Sequence, residues 1–191
     1  MYELRQVYKQ SPGAFLFLYP SSLRIILLLP PGSLICGMNI TWSCKPFASL
    51  SPNELYSILQ LRNEVFVVEQ NCVYQDCDDK DRHAHHFMGW KENKLVAYTR
   101  LLPSGVAYEE ISIGRVVTSP SVRGSKTGKE LMRKSIEKIH ELFGRSPIKI
   151  GAQLYLKRFY ESFGFIQNSD VYLEDGIDHI KMLRDTPNFR Q

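Results

Sequence analysis

Residues 110–143 constrain the fold of this chain most. Glu110–Thr118 reads as a strand, and Ser119-Pro120 breaks it. The loop Arg123-Gly124-Ser125-Lys126-Thr127-Gly128 then opens a helix that runs to about Phe143. Along it, Leu131, Met132, Ser135, Ile136, Ile139 and Leu142 recur at spacings of three and four, so one face must be covered. Gly144 is placed to cap its C-terminal end. A strand that feeds a long amphipathic helix through a glycine-containing loop calls for a mixed α/β fold, with the helix laid on a sheet.

The flanking sequence supplies the other elements. Ile40–Phe47 reads as a short strand. Ser51-Pro52-Asn53-Glu54 is a helix start: Ser51 caps, Pro52 suits the first helical position and Glu54 completes a capping box. Leu55, Ile58, Leu59, Arg62, Val65 and Phe66 then mark one helix face. Asn71–Arg82 is a loop rich in Asp. Strands are expected at His86–Lys91 and Leu95–Leu102, turning at Glu92-Asn93, and again at Ile148–Gln153. Leu154–Phe163 reads as a helix stopped by Gly164, and Phe165–Tyr172 and His179–Leu183 as two last strands.

A length of 191 residues suits one domain that buries its own core. Residues 38–191 are expected to form it. Residues 1–37 hold two short apolar runs interrupted by Pro20, Pro30 and Pro31. Neither run reaches the roughly 20 residues that span a bilayer. Pro20 and Arg24 break any signal-peptide core, and no small-x-small cleavage site follows. We expect residues 1–37 to be a disordered or spurious extension, with Met38 as the natural start and export as the alternative. The net charge is +4, half of it in those first 37 residues, so no basic face for nucleic acid is expected. Cys36, Cys44, Cys72 and Cys77 form no CxxC pair and are expected to be reduced thiols in a cytoplasmic protein. No membrane association is expected.

The loop before the long helix carries the chemistry. A helix N-terminus offers unpaired N–H groups and a partial positive charge, and glycines let backbone approach a ligand. Such a loop can cradle a pyrophosphate, with Arg123, Lys126 and Lys129 adding charge, or it can be a solvated cap. It is neither a Walker loop nor a GxGxxG turn.

In this sequence Arg123-x-x-x-x-Gly128, after a strand ending Val-Val-x-x-Pro, resembles motif A of the GNAT superfamily, usually Gln/Arg-x-x-Gly-x-Gly/Ala. Lys126 stands where the middle glycine is usual. About 30 residues on, Gln153-x-x-Leu156-x-x-Phe159-Tyr160-x-x-Phe163-Gly164-Phe165 resembles motif B. Leu61-Arg62-x-x-Val65-Phe66-Val67-Val68-Glu69-Gln70-Asn71-Cys72, then Tyr74-Gln75-Asp76, Ile113-Gly114-Arg115-Val116 and Tyr172-Leu173-Glu174-Asp175-Gly176-Ile177-x-His179-Ile180 resemble the ElaA-type subfamily, over roughly residues 40–184.

The resemblance implies a mostly antiparallel mixed sheet flanked by helices and split in a V between Glu110–Thr118 and Ile148–Gln153. It implies transfer of an acetyl group from acetyl-CoA to a primary amine in a direct ternary complex. Val116, Val117 and Thr118 would pair with the pantetheine arm, Arg123, Gly124, Ser125, Lys126, Thr127, Gly128 and Lys129 would hold the diphosphate, and Gln153 and Phe159 would complete the coenzyme site. Tyr160 would protonate the leaving thiolate. An amine of pKa about 10.4 needs a base near neutrality; Glu110 is the first candidate, with Glu109, Glu69 and His179 behind it. The acceptor stays open among polyamine, aminosugar, amino acid and protein lysine, and the chain is a monomer or homodimer. A coenzyme A binding or sensing module without turnover is the alternative.

No metal is expected, because Cys72, Cys77, His83 and His85 lack a zinc spacing. Asp76, Asp78, Asp79 and Asp81 read as a solvated acidic loop, or as a lure for a cationic amine. The turn within Tyr172–Ile180 reads as a plain hairpin or a wall of the acceptor site.

Overall fold

The computed structural model describes residues 39–186. The readings of residues 1–37 and of Met38 lie outside the described residues. Within them, eight strands form one open sheet: β1 (Thr41–Pro46), β2 (His85–Lys91), β3 (Lys94–Leu102), β4 (Ile111–Thr118), β5 (Ile148–Gln153), β6 (Ile166–Gln167), β7 (Tyr172–Glu174) and β8 (Ile177–Arg184). Their order is β1-β2-β3-β4-β5-β8-β6, with β7 on β8. Every pairing is antiparallel except β4 with β5.

Helices cover both faces. α1 (Pro52–Arg62) starts at the expected capping box: Ser51 Oγ accepts from the Glu54 N–H at 3.2 Å, and Glu54 Oε2 accepts from the Ser51 N–H at 2.8 Å. Ile58, Leu61 and Val65 pack on Met88, Leu95, Tyr98 and Val117. The long helix α2 (Thr127–Phe143) buries Leu131, Met132, Ile136 and Ile139 on the opposite face, against Phe87, Ala97, Leu101, Ile111 and Ile113. β3 lies between both layers and is buried from Leu95 to Leu102, which explains its apolar stretches Leu95–Tyr98 and Leu101-Leu102; the polar Thr99 and Arg100 between them are buried too.

Three expectations are corrected. The helix through Phe66 is α-helical only to Arg62 and widens into a π-helix over Asn63–Glu69, where Gln70 N–H bonds Val65 O. The single strand Phe165–Tyr172 is two short strands, because Asn168-Ser169-Asp170 are turn formers and Ser169 Oγ takes the Lys181 N–H that a strand would have used. Leu154–Phe163 is a 3₁₀ turn followed by the short α3 (Lys157–Glu161).

The Asp-rich loop is likewise not solvated. Asp76, Asp78 and Asp81 turn inward onto three arginines from α1, β3 and β4. Arg62, fully buried, bonds Asp76 and Asp81 at 2.7 Å each. Arg100 bonds Asp78 at 2.6 and 2.8 Å and Asp81 at 3.1 Å. Arg115 bonds Asp76 at 2.6 Å. Only Asp79 points into solvent. Three charges of each sign cancel, so the loop as a whole offers no lure for cations.

Candidate active site

β4 and β5 pair in parallel only at Ile111 with Ile148 and Ser112 with Lys149. Beyond Ser112 they diverge, and a cleft opens between them. A second irregularity sits at the same level. Tyr98 pairs with Val117 and Arg100 with Gly114, so β4 carries one residue more than β3, a bulge. Arg115 stands there with φ +52°, in the left-handed region. Its guanidinium is tied to Asp76, which is also held by Arg62 and by Tyr74 Oη at 2.9 Å. The buried ion network thus holds the bulge that leaves backbone around Val116 free of both neighbouring strands.

The cleft is lined by Ile113, Gly114 and Val116 of β4, by Gly151, Ala152 and Gln153 of β5, and by Tyr160 of α3. Phe66 of the π-helix and Gln70 just after it also line the cleft, and Gln153 Nε2 donates to Gln70 Oε1 at 3.1 Å. Tyr160 is 6% exposed, and its hydroxyl has no hydrogen-bond partner among the described residues. Burial pushes its phenol above the ordinary value, so it stays protonated.

At the start of α2 the backbone turns through Gly124 at φ +80° and Lys126 at φ +66°. Lys126 therefore occupies a left-handed position, which is why glycine is usual there. Ser125 Oγ donates to Val122 O at 2.6 Å, tying the loop together. A Cβ built on Gly124 or Gly128 meets nothing within 4 Å, so open space lies over the helix N-terminus. Arg123 forms a two-point pair with Glu69 at 2.6 and 2.8 Å.

Residues 49–185 match the family model described as an acetyltransferase (GNAT) domain. The chain belongs to the GNAT acetyltransferase family. ElaA of Escherichia coli K12 is 47% identical over 148 residues, which is 76% of this chain and 97% of that protein. The crystal structure of E. coli ElaA superposes with a TM-score of 0.73, covering 77% of this chain and all of that one. An acyl-CoA N-acyltransferase from Pseudomonas aeruginosa is 42% identical, with a TM-score of 0.74, over 76% of this chain and 99% of that one. A UPF0039 protein of Schizosaccharomyces pombe is 42% identical over 75% of this chain and 96% of its own length.

The GNAT fold brings some expected site residues together and separates others. Val116, Gln153 and Tyr160 line the cleft. Arg123 to Lys129 form the loop and first turn of α2. Val117 is buried against α1, and Thr118 pairs with Ala97. Phe159 is partly buried and packs against the core, edge-on to Tyr160 at 5.1 Å. Glu110 lines neither the cleft nor the chamber beyond it; its Oε1 accepts from Lys149 at 3.3 Å, at the end of the sheet where β4 and β5 are still paired. Arg123 pairs with Glu69 and holds it below the usual carboxylate range, and Glu69 does not line the cleft. Of the base candidates only His179 lines the cleft. Its Nδ1 lies 2.8 Å from Ile177 O. A carbonyl can only accept, so Nδ1 carries a proton, and in the neutral ring the lone pair is on Nε2. Sequence reasoning passed over Phe66, Gln70 and Tyr74; their one signal was the matching stretch Leu61–Asp76.

His85 and His86 face opposite sides, as strand neighbours do. His85 packs edge-on to Phe143, and His86 bonds Tyr98 Oη at 2.9 Å and Asp81 O at 3.0 Å.

Proposed function

We propose that this chain transfers an acetyl group from acetyl-CoA to a primary amine by direct attack within a ternary complex. The observation that carries the reading is the cleft itself. Parallel pairing stops after two residue pairs, Tyr160 and His179 line the opening, and a glycine-bearing helix N-terminus stands at the end of β4. The P. aeruginosa relative, called an acyl-CoA N-acyltransferase, supports the reaction class.

The residues divide the work as follows. N–H groups of the first turn of α2 and the charges of Lys126 and Lys129 hold the diphosphate. Arg123 exchanges Glu69 for a phosphate oxygen, at little cost, because an exposed pair contributes under about 1 kcal/mol. Backbone of Val116, freed by the split and the bulge, pairs with the pantetheine arm and donates to the thioester oxygen as charge develops there. His179 Nε2 takes a proton from the attacking amine; it replaces Glu110 in this role. Tyr160 donates to the departing sulfur.

Thiol release tests the reading: acetyl-CoA and an amine panel are supplied and free coenzyme A is titrated. Amine-dependent release, with a melting temperature raised by acetyl-CoA, is the expected result. A raised melting temperature with no release on any amine would leave a coenzyme-binding module instead.

Gly128→Ala separates folding from binding. Alanine is the better helix former, and its methyl enters open space, so stability holds or rises by up to about 1 kcal/mol. The same methyl stands where the diphosphate must approach, so acetyl-CoA binds at least about tenfold more weakly by calorimetry. Equal affinity would detach this loop from the coenzyme.

A further inference from the structure

The cleft opens past Gly114 and Gly151 into a second chamber of about 410 Å³, on the sheet face away from α2. Its floor is Arg100 and Leu102 of β3 with Ser112 and Gly114 of β4, and Tyr74 and Tyr108 stand beside it. Residues of one parity on neighbouring strands share this face, just as Ile111 and Ile113 share the other beneath α2.

Two buried polar groups of that floor are incomplete. Ser112 is 2% exposed and its Oγ has no hydrogen-bond partner. Arg100 is 3% exposed; its Nη atoms are committed to Asp78 and Asp81, but its Nε–H is unpartnered. An unmet buried donor is costly, and a guanidinium N–H can be satisfied only by a lone pair. What the floor lacks is an oxygen acceptor. A Cβ built on Gly114 meets nothing closer than Arg100 Nε at 4.0 Å, so there is room over Gly114 for such an atom. The mouth has the opposite character. Glu174 and Asp175 border the chamber and make no ion pair among the described residues, and His179 stands at the junction with the cleft.

We infer that the acceptor is a free amino acid, seated with its carboxylate over Gly114 on Ser112 Oγ–H and Arg100 Nε–H and its ammonium drawn in by Glu174 and Asp175. Gly114 borders both the cleft and the chamber, so the carboxylate and the reacting nitrogen lie close together, as they do on one α-carbon. The inference rests on the acyltransferase reading and names the substrate class of the same site. His179 Nε2 takes one proton from the ammonium, the freed amine attacks the thioester carbonyl, and the C–S bond breaks as Tyr160 gives the sulfur its proton. The second proton leaving the nitrogen restores the Tyr160 phenol through water, so the products are an N-acetyl amino acid, the coenzyme thiol and one proton held by His179.

The test compares the protein amino acids with their decarboxylated amines and with polyamines, in wild type and in Ser112→Ala. Transfer is read by thiol release, and acceptor binding separately by calorimetry with coenzyme A bound. At least one amino acid is expected to be a substrate, with kcat/KM at least about 100-fold above its decarboxylated amine. Ser112→Ala is expected to raise KM for that amino acid about tenfold, the worth of one hydrogen bond. It should leave KM for acetyl-CoA and for the decarboxylated amine unchanged. The melting temperature should not fall, since the lost hydroxyl has no partner. Decarboxylated amines or polyamines used as well as amino acids, or an unchanged KM in Ser112→Ala, would overturn the inference. So would the absence of amino-acid binding. Amino-acid binding weakened by Ser112→Ala but without transfer would keep the chamber's assignment and remove the acyltransferase reading.

Discussion

Arg62→Met is expected to destabilise the domain by about 3–5 kcal/mol, a large part of the roughly 5–15 kcal/mol that holds a domain of this size together. Arg62 is fully buried, and its guanidinium bonds both Asp76 and Asp81. Methionine fills much of the volume, so packing is not the main loss. The main loss is charge balance: three buried or half-buried carboxylates face two guanidiniums where they faced three. The pH dependence separates this cause from a cavity. Burial pushes the Asp76 carboxyl up, but the hydrogen bond and charge of Arg62, with Arg115 behind, outweigh it and hold Asp76 below the usual carboxylate range. For Asp78 burial also pushes up, and Arg100 with its hydrogen bonds outweighs it. Carboxylates with depressed folded pKa values add stability that is fully present above about pH 5 and lost as pH falls through 4 toward their folded values. In Arg62→Met the folded pKa of Asp76 rises, because its largest attraction is gone. The gap between variant and wild type therefore narrows as pH falls from 7 to 4. Urea midpoints at both pH values measure it. A gap that stays constant would mean that lost volume, not lost charge, is the cause.

Those arginines show where a linear reading stops. The face of α2 was legible because Leu131, Met132, Ile136 and Ile139 repeat within one helix, and the start of α1 because Ser51 and Glu54 are three residues apart. Asp76 takes its partners from Arg62 and Arg115, 14 and 39 residues away on two other elements. A run of acids looks solvated until the fold brings cations to it. One trace was present: Arg62 falls in register with Ile58 and Leu59 on the covered face of α1, where an unpaired charge is not tolerated. The bulge in β4 left no comparable trace, since nothing in Gly114-Arg115-Val116 announces a left-handed arginine. The turn into α2 was legible through its glycines, Gly124 and Gly128. The split was legible only through resemblance, because divergence of two strands depends on pairings that no single segment records. Glu110 drew attention as an acid at a strand start, yet the cleft opens farther along that strand, and the base candidate on its border is His179, whose ring is oriented by the carbonyl two residues earlier.

Tyr160→Phe is expected to lower kcat about 100-fold while the dissociation constant for acetyl-CoA stays within about twofold. General acids contribute roughly 10²–10⁴, and the lower end applies because burial holds the proton firmly on this phenol. In the proposed mechanism Tyr160 offers the sulfur a hydrogen bond that strengthens as negative charge builds. The ring is needed for packing and survives the substitution: it meets Phe159 edge-on at 5.1 Å and Phe165 at 6.2 Å. The hydroxyl makes no hydrogen bond among the described residues, so its removal leaves no partner stranded in the core, and the melting temperature should not fall. An effect confined to kcat then marks an interaction made only as the thioester breaks. Supplying a thioester whose leaving thiol is more acidic should narrow the difference between variant and wild type, because such a thiolate needs less help to depart. Should kcat be unchanged, or should the deficit be the same for both thioesters, Tyr160 is a packing residue, and the proton that the leaving sulfur needs comes from water in the cleft.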